Sequence, residues 1–306
     1  MYKQVLGKGD IGGLYNSFKD QFSKSSKLWF LLCLILMPFN WLLEARKWQL
    51  LVKSFYSLDF KSALRGILSG LSIGIITPQR IGEYGGRILV LPSKYNWEGV
   101  SSTFLCSIAQ NMVNVVLGLL GAIIFLQNHV LEFDQRYLIN VTIGGFVFLV
   151  ILYFLGTNLD KVKEVLSNLG LKKILKPILD RLRYLKAVPV QTKMAVLNWS
   201  LLRYIIYVLQ YVMILYFFGI EIDWLTGVTG VSLIYLLQTG IPLPPLIGIA
   251  ARGEIALFIW GQFDNNSLGI LSASYMLWII NLIIPSLLGL FFVLKTNILG
   301  SLGYEK

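Results

Sequence analysis

Residues 64–89 read LRGILSGLSIGIITPQRIGEYGGRIL, an apolar run cut by Pro78 and followed by a charged, glycine-rich stretch. A helix needs about 20 apolar residues to cross the hydrocarbon core, and the run from 64 to 77 is shorter than that. A tilted span, a re-entrant segment and half of a broken helix all fit it. Pro78 removes a backbone donor, and Gly82, Gly85 and Gly86 permit unusual dihedrals and close approach, so the helix breaks here. Polar backbone freed at membrane depth needs protein or a water-filled cavity around it.

Outward from this stretch, apolar runs recur at about 28–43, 100–126, 141–156, 196–218, 224–241, 246–262 and 268–294. The class AVILMFWYC makes up 56% of the 306 residues and charged residues only 14%, against roughly 25% charged in soluble domains. The expected fold is an all-α, polytopic integral membrane protein with about eight transmembrane helices, in two related halves with broken or re-entrant segments. Lys and Arg number 27 against 16 Asp and Glu, a net charge of +11, which in a membrane chain points to cytoplasmic loops and anionic lipid. Nucleic-acid binding is not expected, because no basic soluble module is long enough.

The expected divisions are a cytoplasmic lead (1–27), a first transmembrane half (28–156), a basic amphipathic linker (157–195), a second half (196–295) and a short tail (296–306). In the lead, Ile11, Leu14, Tyr15, Phe18 and Phe22 keep helical spacing, and no secretory cleavage pattern follows. Glu44 to Leu51 reads as an interfacial exit of the first helix, with Trp48 in the aromatic belt. Lead, linker and tail are all assigned to the inner face of the cell membrane, with a cytoplasmic amino terminus. The acidic Glu221–Asp223 turn then falls outside. Arg46, Lys47, Lys53, Lys61 and Arg65 disagree, since they would flank an outer loop.

Arg80, Glu83 and Arg87 follow the break; the first two can pair on one helical face, with Arg87 one turn further on. An arginine left over beside a salt bridge, near free amides, would bind a phosphate headgroup. A cytoplasmic turn with solvated charges is the alternative. A second segment, IPLPPLIGIAARGE at 241–254, joins Pro244, Pro245 and Gly248 to Arg252 and Glu254. Corresponding Gly/Pro breaks in two halves point to a transporter-like site. The count of crossings suits parallel repeats, whereas re-entrant segments would give inverted ones.

The TPQRIGEYGGR stretch resembles the Pro-x-Arg-x-Gly-Glu motif of the lysylphosphatidylglycerol synthase transmembrane region, or flippase-like domain, family. The WLLEARKWQLL sequence at 41–51 is similar to that family's first-helix end. The resemblance spans about 20–295 and implies movement of lipid or lipid-linked headgroups between leaflets; the chain is expected to hold only the membrane part, without the soluble synthase domain. Where the family carries Glu-Arg and then Asp in its third helix, this chain has Gln110, Asn111 and Asn114, which hydrogen-bond but do not relay charge. In the second motif Leu246 and Ile247 replace a glycine pair.

The main expectation is a flippase-like binder and translocator of an anionic phospholipid or polyprenyl-phosphate-linked lipid. Arg80, Arg87 and Arg252 would clamp phosphate, while Glu83 and Glu254 would hold or release them. Pro78, Gly82, Gly85, Gly86, Gln110, Asn111, Asn114, Pro244, Pro245 and Gly248 would line the cavity or break helices. The alternatives are an enzyme or accessory subunit presenting a lipid carrier to a transferase, and a structural scaffold. Without a P-loop, nucleophile elbow or Cys/His cluster, no cofactor, metal or catalytic residue is expected. Cys33 and Cys106 sit in apolar runs, and His129 reads as interfacial. Anionic lipids, a second copy of the chain and a separate transferase are the candidate partners. Arg203 is expected to snorkel to the inner interface, and Asn281 and Pro285 to supply a hydrogen bond and a kink.

Overall fold

The computed structural model describes residues 27–128, 143–145, 147, 188–240 and 248–303. The lead, most of the fourth apolar run, His129, residues 157–187, Pro244 and Pro245 lie outside the described residues. The described elements are all helical. Helix α1 spans Lys27–Val52, α2 Phe60–Ile76, α3 Gly82–Ile88, α4 Asn96–Asn128, α5 Val190–Phe217, α6 Trp224–Gly240, α7 Gly248–Trp260, α8 Ser267–Trp278, α9 Ile284–Leu294 and α10 Ile298–Leu302. Four described segments are long and apolar enough to cross a membrane: Lys27–Val52, Ser93–Gln127, Val190–Phe217 and Ser267–Leu294. The last joins α8 and α9 through a π-helical turn, Ile279–Ile283, just before Pro285. Proline has no N–H for the ladder, and the wider turn absorbs that defect without ending the helix.

The shorter helices pair into two hairpins. Asp59 caps α2 by accepting a hydrogen bond from the Ser62 amide at 3.0 Å. The chain then turns at residues 77–81, and α3 returns alongside α2. Gly66, Gly70 and Gly74 recur every four residues and form a groove for α3. A Cβ on Gly70 would lie 2.9 Å from the Glu83 carbonyl, and one on Gly86 would lie 2.6 Å from Gly70 Cα. Backbones this close favour small-residue packing, which replaces the hydrophobic drive that lipid cannot supply. Helix α7 returns along α6 in the same manner. Gly230 accepts the Trp260 ring near one end of that pair, and Arg252 meets Gln238 near the other.

The directions of the elements make the halves inverted. Helices α1 and α5 are antiparallel: Cys33 lies against Gln210, Asn40 and Glu44 against Arg203, and Lys47 against Ser200. The first hairpin enters from the end where α1 finishes and the second from the end where α5 finishes, so they enter from opposite ends. Each half is thus a long helix, a hairpin and a second long segment. Small residues hold α6 against α4, where Gly118 meets Leu236 and Gly121 meets Ser232.

Only Lys27 of the lead and residues 188–195 of the linker are described, and they lie at opposite ends of the bundle, whereas the sequence expectation put lead and linker on one face. Lys27 starts α1 at one end of the bundle, whereas Val188 shares an apolar cluster with Val52 and Leu58 at the other. Lys53, Lys61 and Arg65 sit at the Val188 end. A membrane-impermeant thiol reagent should therefore label Lys53→Cys and Glu221→Cys from opposite sides; both native cysteines are buried. Labelling of both from one side would refute the topology. Gly86→Val should lower the melting temperature in detergent by forcing α3 off α2, whereas Gly85→Ala, which meets nothing within 4 Å, should not.

Candidate functional site

Trp41, Glu44, Ala45 and Trp48 lie on one face of α1 and all are buried. Glu44 is 2% exposed, and in this apolar setting its carboxylate needs charged partners. Three converge on it. Lys47, from the next turn of α1, lies at 2.7 Å; Arg87 of α3 at 2.8 Å; and Arg203 of α5 at 2.7 Å. Lys47 Nζ also donates to Cys106 O, Gln110 Oε1 and Ser200 Oγ at 3.3–3.4 Å. Arg203 Nε donates to Asn40 Oδ1 at 2.6 Å, and its guanidinium lies 4.8 Å from the Trp41 ring centroid.

Two sequence expectations change here. Glu44 to Leu51 is not an interfacial exit: α1 continues unbroken to Val52, and Trp48 is fully buried rather than in an aromatic belt. Arg203 does not snorkel outward, because the Glu44 carboxylate and the Asn40 amide oxygen give it a nearer, stronger set of acceptors. Asn40, Glu44, Lys47 and Arg203 are thus site residues that the sequence reading passed over. The signal was present: Glu44 and Lys47 are one turn apart in an uninterrupted helical pattern, and ionisable groups inside a membrane helix mark function by default.

The first hairpin supplies the second layer. Thr77 Oγ1 accepts the Gly82 N–H at 2.8 Å and lies 3.2 Å from the carbonyls of Ile73 and Gly74, which ties the end of α2 to the start of α3. Between them Pro78–Arg80 forms a 3-10 turn, and Arg80 takes φ 59°. A left-handed non-glycine residue is strained and needs its surroundings to hold it. Gly82 is required as glycine, since a Cβ there would lie 2.6 Å from the Ile73 carbonyl. Arg80 pairs with Glu83 at 3.0 Å, and Glu83 also pairs with Arg87. The expected Arg80, Glu83 and Arg87 cluster is therefore assembled, but its members differ: Arg87 is 2% exposed and locked between two carboxylates, while Arg80 is 36% exposed.

Arg252 comes from the second hairpin. Its Nη1 donates to Gln238 Oε1 at 3.0 Å. Glu254 is two positions further along the same helix and exposed. Gly248 is buried at the start of α7. Gln110 joins Lys47 and the Ser200 carbonyl, while Asn114 reaches Thr239 at 3.5 Å, so these carboxamides knit α4 to α5 and α6. Asn111 is partly exposed. Asn281 accepts from Asn40 at 3.2 Å and links the π-helical turn to α1.

Among the described residues Lys47, Arg80, Arg87 and Arg203 face Glu44 and Glu83 in one connected network, four cations against two carboxylates. Among the described residues no group of three His, Cys, Asp or Glu is placed to hold a metal. Glu44→Gln should strip the shared anion from three buried cations and cost about 3–5 kcal/mol, read as loss of monodisperse protein or a lower melting temperature. Thr77→Val should weaken the hairpin tip while Thr77→Ser preserves it; equal melting temperatures for the two variants would remove the staple.

The family model described as Lysylphosphatidylglycerol synthase TM region matches residues 14–292. No curated protein and no solved structure matches the chain. The family match takes in both hairpins, the Glu44 network, three of the four membrane-length segments whole and the fourth as far as residue 292, and the protein belongs to the lysylphosphatidylglycerol synthase transmembrane region family.

Proposed function

We propose that the protein is a flippase-like transporter that binds an anionic phospholipid or a polyprenyl-phosphate-linked lipid and moves its headgroup between leaflets of the cell membrane. The observation that carries this reading is that two hairpins entering from opposite ends each hold an arginine near the tip, the strained, partly exposed Arg80 on one and Arg252 on the other, beside an ion-pair network whose described members carry more positive than negative charge. A charge inside a membrane is expensive unless paired. A phosphate accepting hydrogen bonds from both guanidiniums would supply the missing anion.

Inverted repeats suit alternating access, because each half mirrors the other across the membrane midplane and rocking exchanges their roles. The Glu44–Arg203 pair bridges the halves, so it resists their separation while the hairpin tips exchange the headgroup. Glu83 competes with the phosphate for Arg80, which keeps binding reversible. By the positive-inside tendency, the end carrying Lys53, Lys61, Arg65 and Lys193 faces the cytoplasm; the start of α1 then faces outward, the reverse of the sequence expectation.

Mass spectrometry of lipids co-purifying with wild type and with an Arg80→Ala, Arg252→Ala variant tests the reading. One phosphate-bearing lipid should be enriched by wild type and lost from the variant, and reconstituted vesicles should lose movement of that lipid. Both side chains sit at the tips rather than in the Glu44 core, so the variant should still purify as a folded protein. Identical lipid profiles with undiminished movement would overturn the assignment.

A further inference from the structure

Resting on the reading that the halves rock against each other, we infer that the last membrane segment, Ser267–Leu294, is a jointed rod coupling the two hairpins, and that Asn281 in its π-helical turn is the positioning residue that ties the joint to the Glu44–Arg203 bridge. The two ends of this segment belong to different hairpins. On the α8 side, a Cβ on Gly253 of α7 would collide with the Tyr275 hydroxyl, and Leu277 and Ile280 share an apolar cluster with Ile259 and Trp260. On the α9 side, Ser72 Oγ of α2 donates to the Ser286 carbonyl, a Cβ on Gly289 would collide with the Leu68 carbonyl, and Leu282 shares a second cluster with Ile67 and Leu71. Among the buried members of these clusters the change of partner falls between Ile280 and Leu282, inside the π-helical turn.

An α-helix resists bending because every turn is closed by hydrogen bonds four residues apart. Here the Ile284 N–H reaches back five residues to the Ile279 carbonyl, and Pro285 has no N–H to offer. The ladder is weakest where the partners change, so a bend at this turn lets each end stay seated on its own hairpin while the halves move. Asn281 connects that bend to the ionic core. Arginine only donates, so Asn40 must turn its oxygen toward Arg203 Nε, at 2.6 Å, and its Nδ2 is then left to donate to Asn281 Oδ1 at 3.2 Å. A shift of the turn is thereby felt at Arg203, whose Nη1 holds Glu44 across the two halves at 2.7 Å.

The test uses the full chain spin-labelled at Asn265→Cys and Lys295→Cys, exposed positions just beyond the two ends of the rod, while both native cysteines are buried. Pulsed EPR is recorded in phosphatidylcholine nanodiscs with and without phosphatidylglycerol or undecaprenyl phosphate, and movement of labelled forms of the same two lipids is followed in vesicles. The distance distribution should shift with at least one lipid that is moved. Movement with an unchanged distribution would overturn the joint and leave the transporter reading standing, whereas no Arg80-dependent movement of either lipid would overturn both. Asn281→Leu should slow movement about tenfold, the size expected for one hydrogen bond in a chain to a charged group, at an unchanged melting temperature. Asn281→Asp, which keeps an acceptor oxygen in place, should restore the rate. A wild-type rate in Asn281→Leu, or a slowed rate that Asn281→Asp fails to rescue, would overturn the positioning role.

Discussion

One carboxylate in a poorly hydrated interior, Glu44, constrains most of this structure. It cannot remain charged there without cations, and it collects them from three helices: Lys47 on α1, Arg87 on α3 and Arg203 on α5. Each contact fixes something larger. Arg87 draws the first hairpin against α1, and Arg203 joins the first half to the second. Removing a partner from such a set exposes an unpaired buried charge, so the network resists change as a unit.

The glycine stripe works with that network. Gly66, Gly70 and Gly74 let α3 lie close enough to α2 for Arg87 to reach inward while its own backbone stays in a helix. The second hairpin uses a different packing, with Gly230 under Trp260 and the Gln238 amide oxygen accepting from Arg252. The two halves therefore share a layout but not an electrostatic balance. The first is built as an ion-pair chain leading from Glu44 through Arg87 and Glu83 to Arg80; the second offers an arginine bonded to an amide. Rocking of inverted halves would carry a bound anion between these unequal surroundings.

Much of this was legible in the residues. The break at Thr77–Gly82, the pairing of Arg80 with Glu83 and the inter-helical bonding of Gln110 and Asn114 follow from spacing and residue type. The depth of Glu44 and Lys47 was hidden by a local habit of reading, in which an apolar window ends at the first charge. Helix α1 does not end there, because the charges find partners on elements 40 and more residues away in the chain. Arg203 was misplaced for the same reason: its acceptors, Asn40 and Glu44, lie in the other half of the sequence.

By itself, the sequence determined that this is a helical membrane protein with two interrupted halves, because hydrophobicity, proline and glycine act through the local chain and the bilayer thickness. Tertiary structure alone decided that the halves are inverted, that Lys27 and Val188 lie at opposite ends of the bundle, and that Arg87 is locked between two carboxylates while Arg80 stays partly exposed. Those outcomes depend on the antiparallel packing of α1 and α5 and on which cation reaches which carboxylate. Both are properties of contacts between residues far apart in sequence, and the periodicity of a single segment does not encode them.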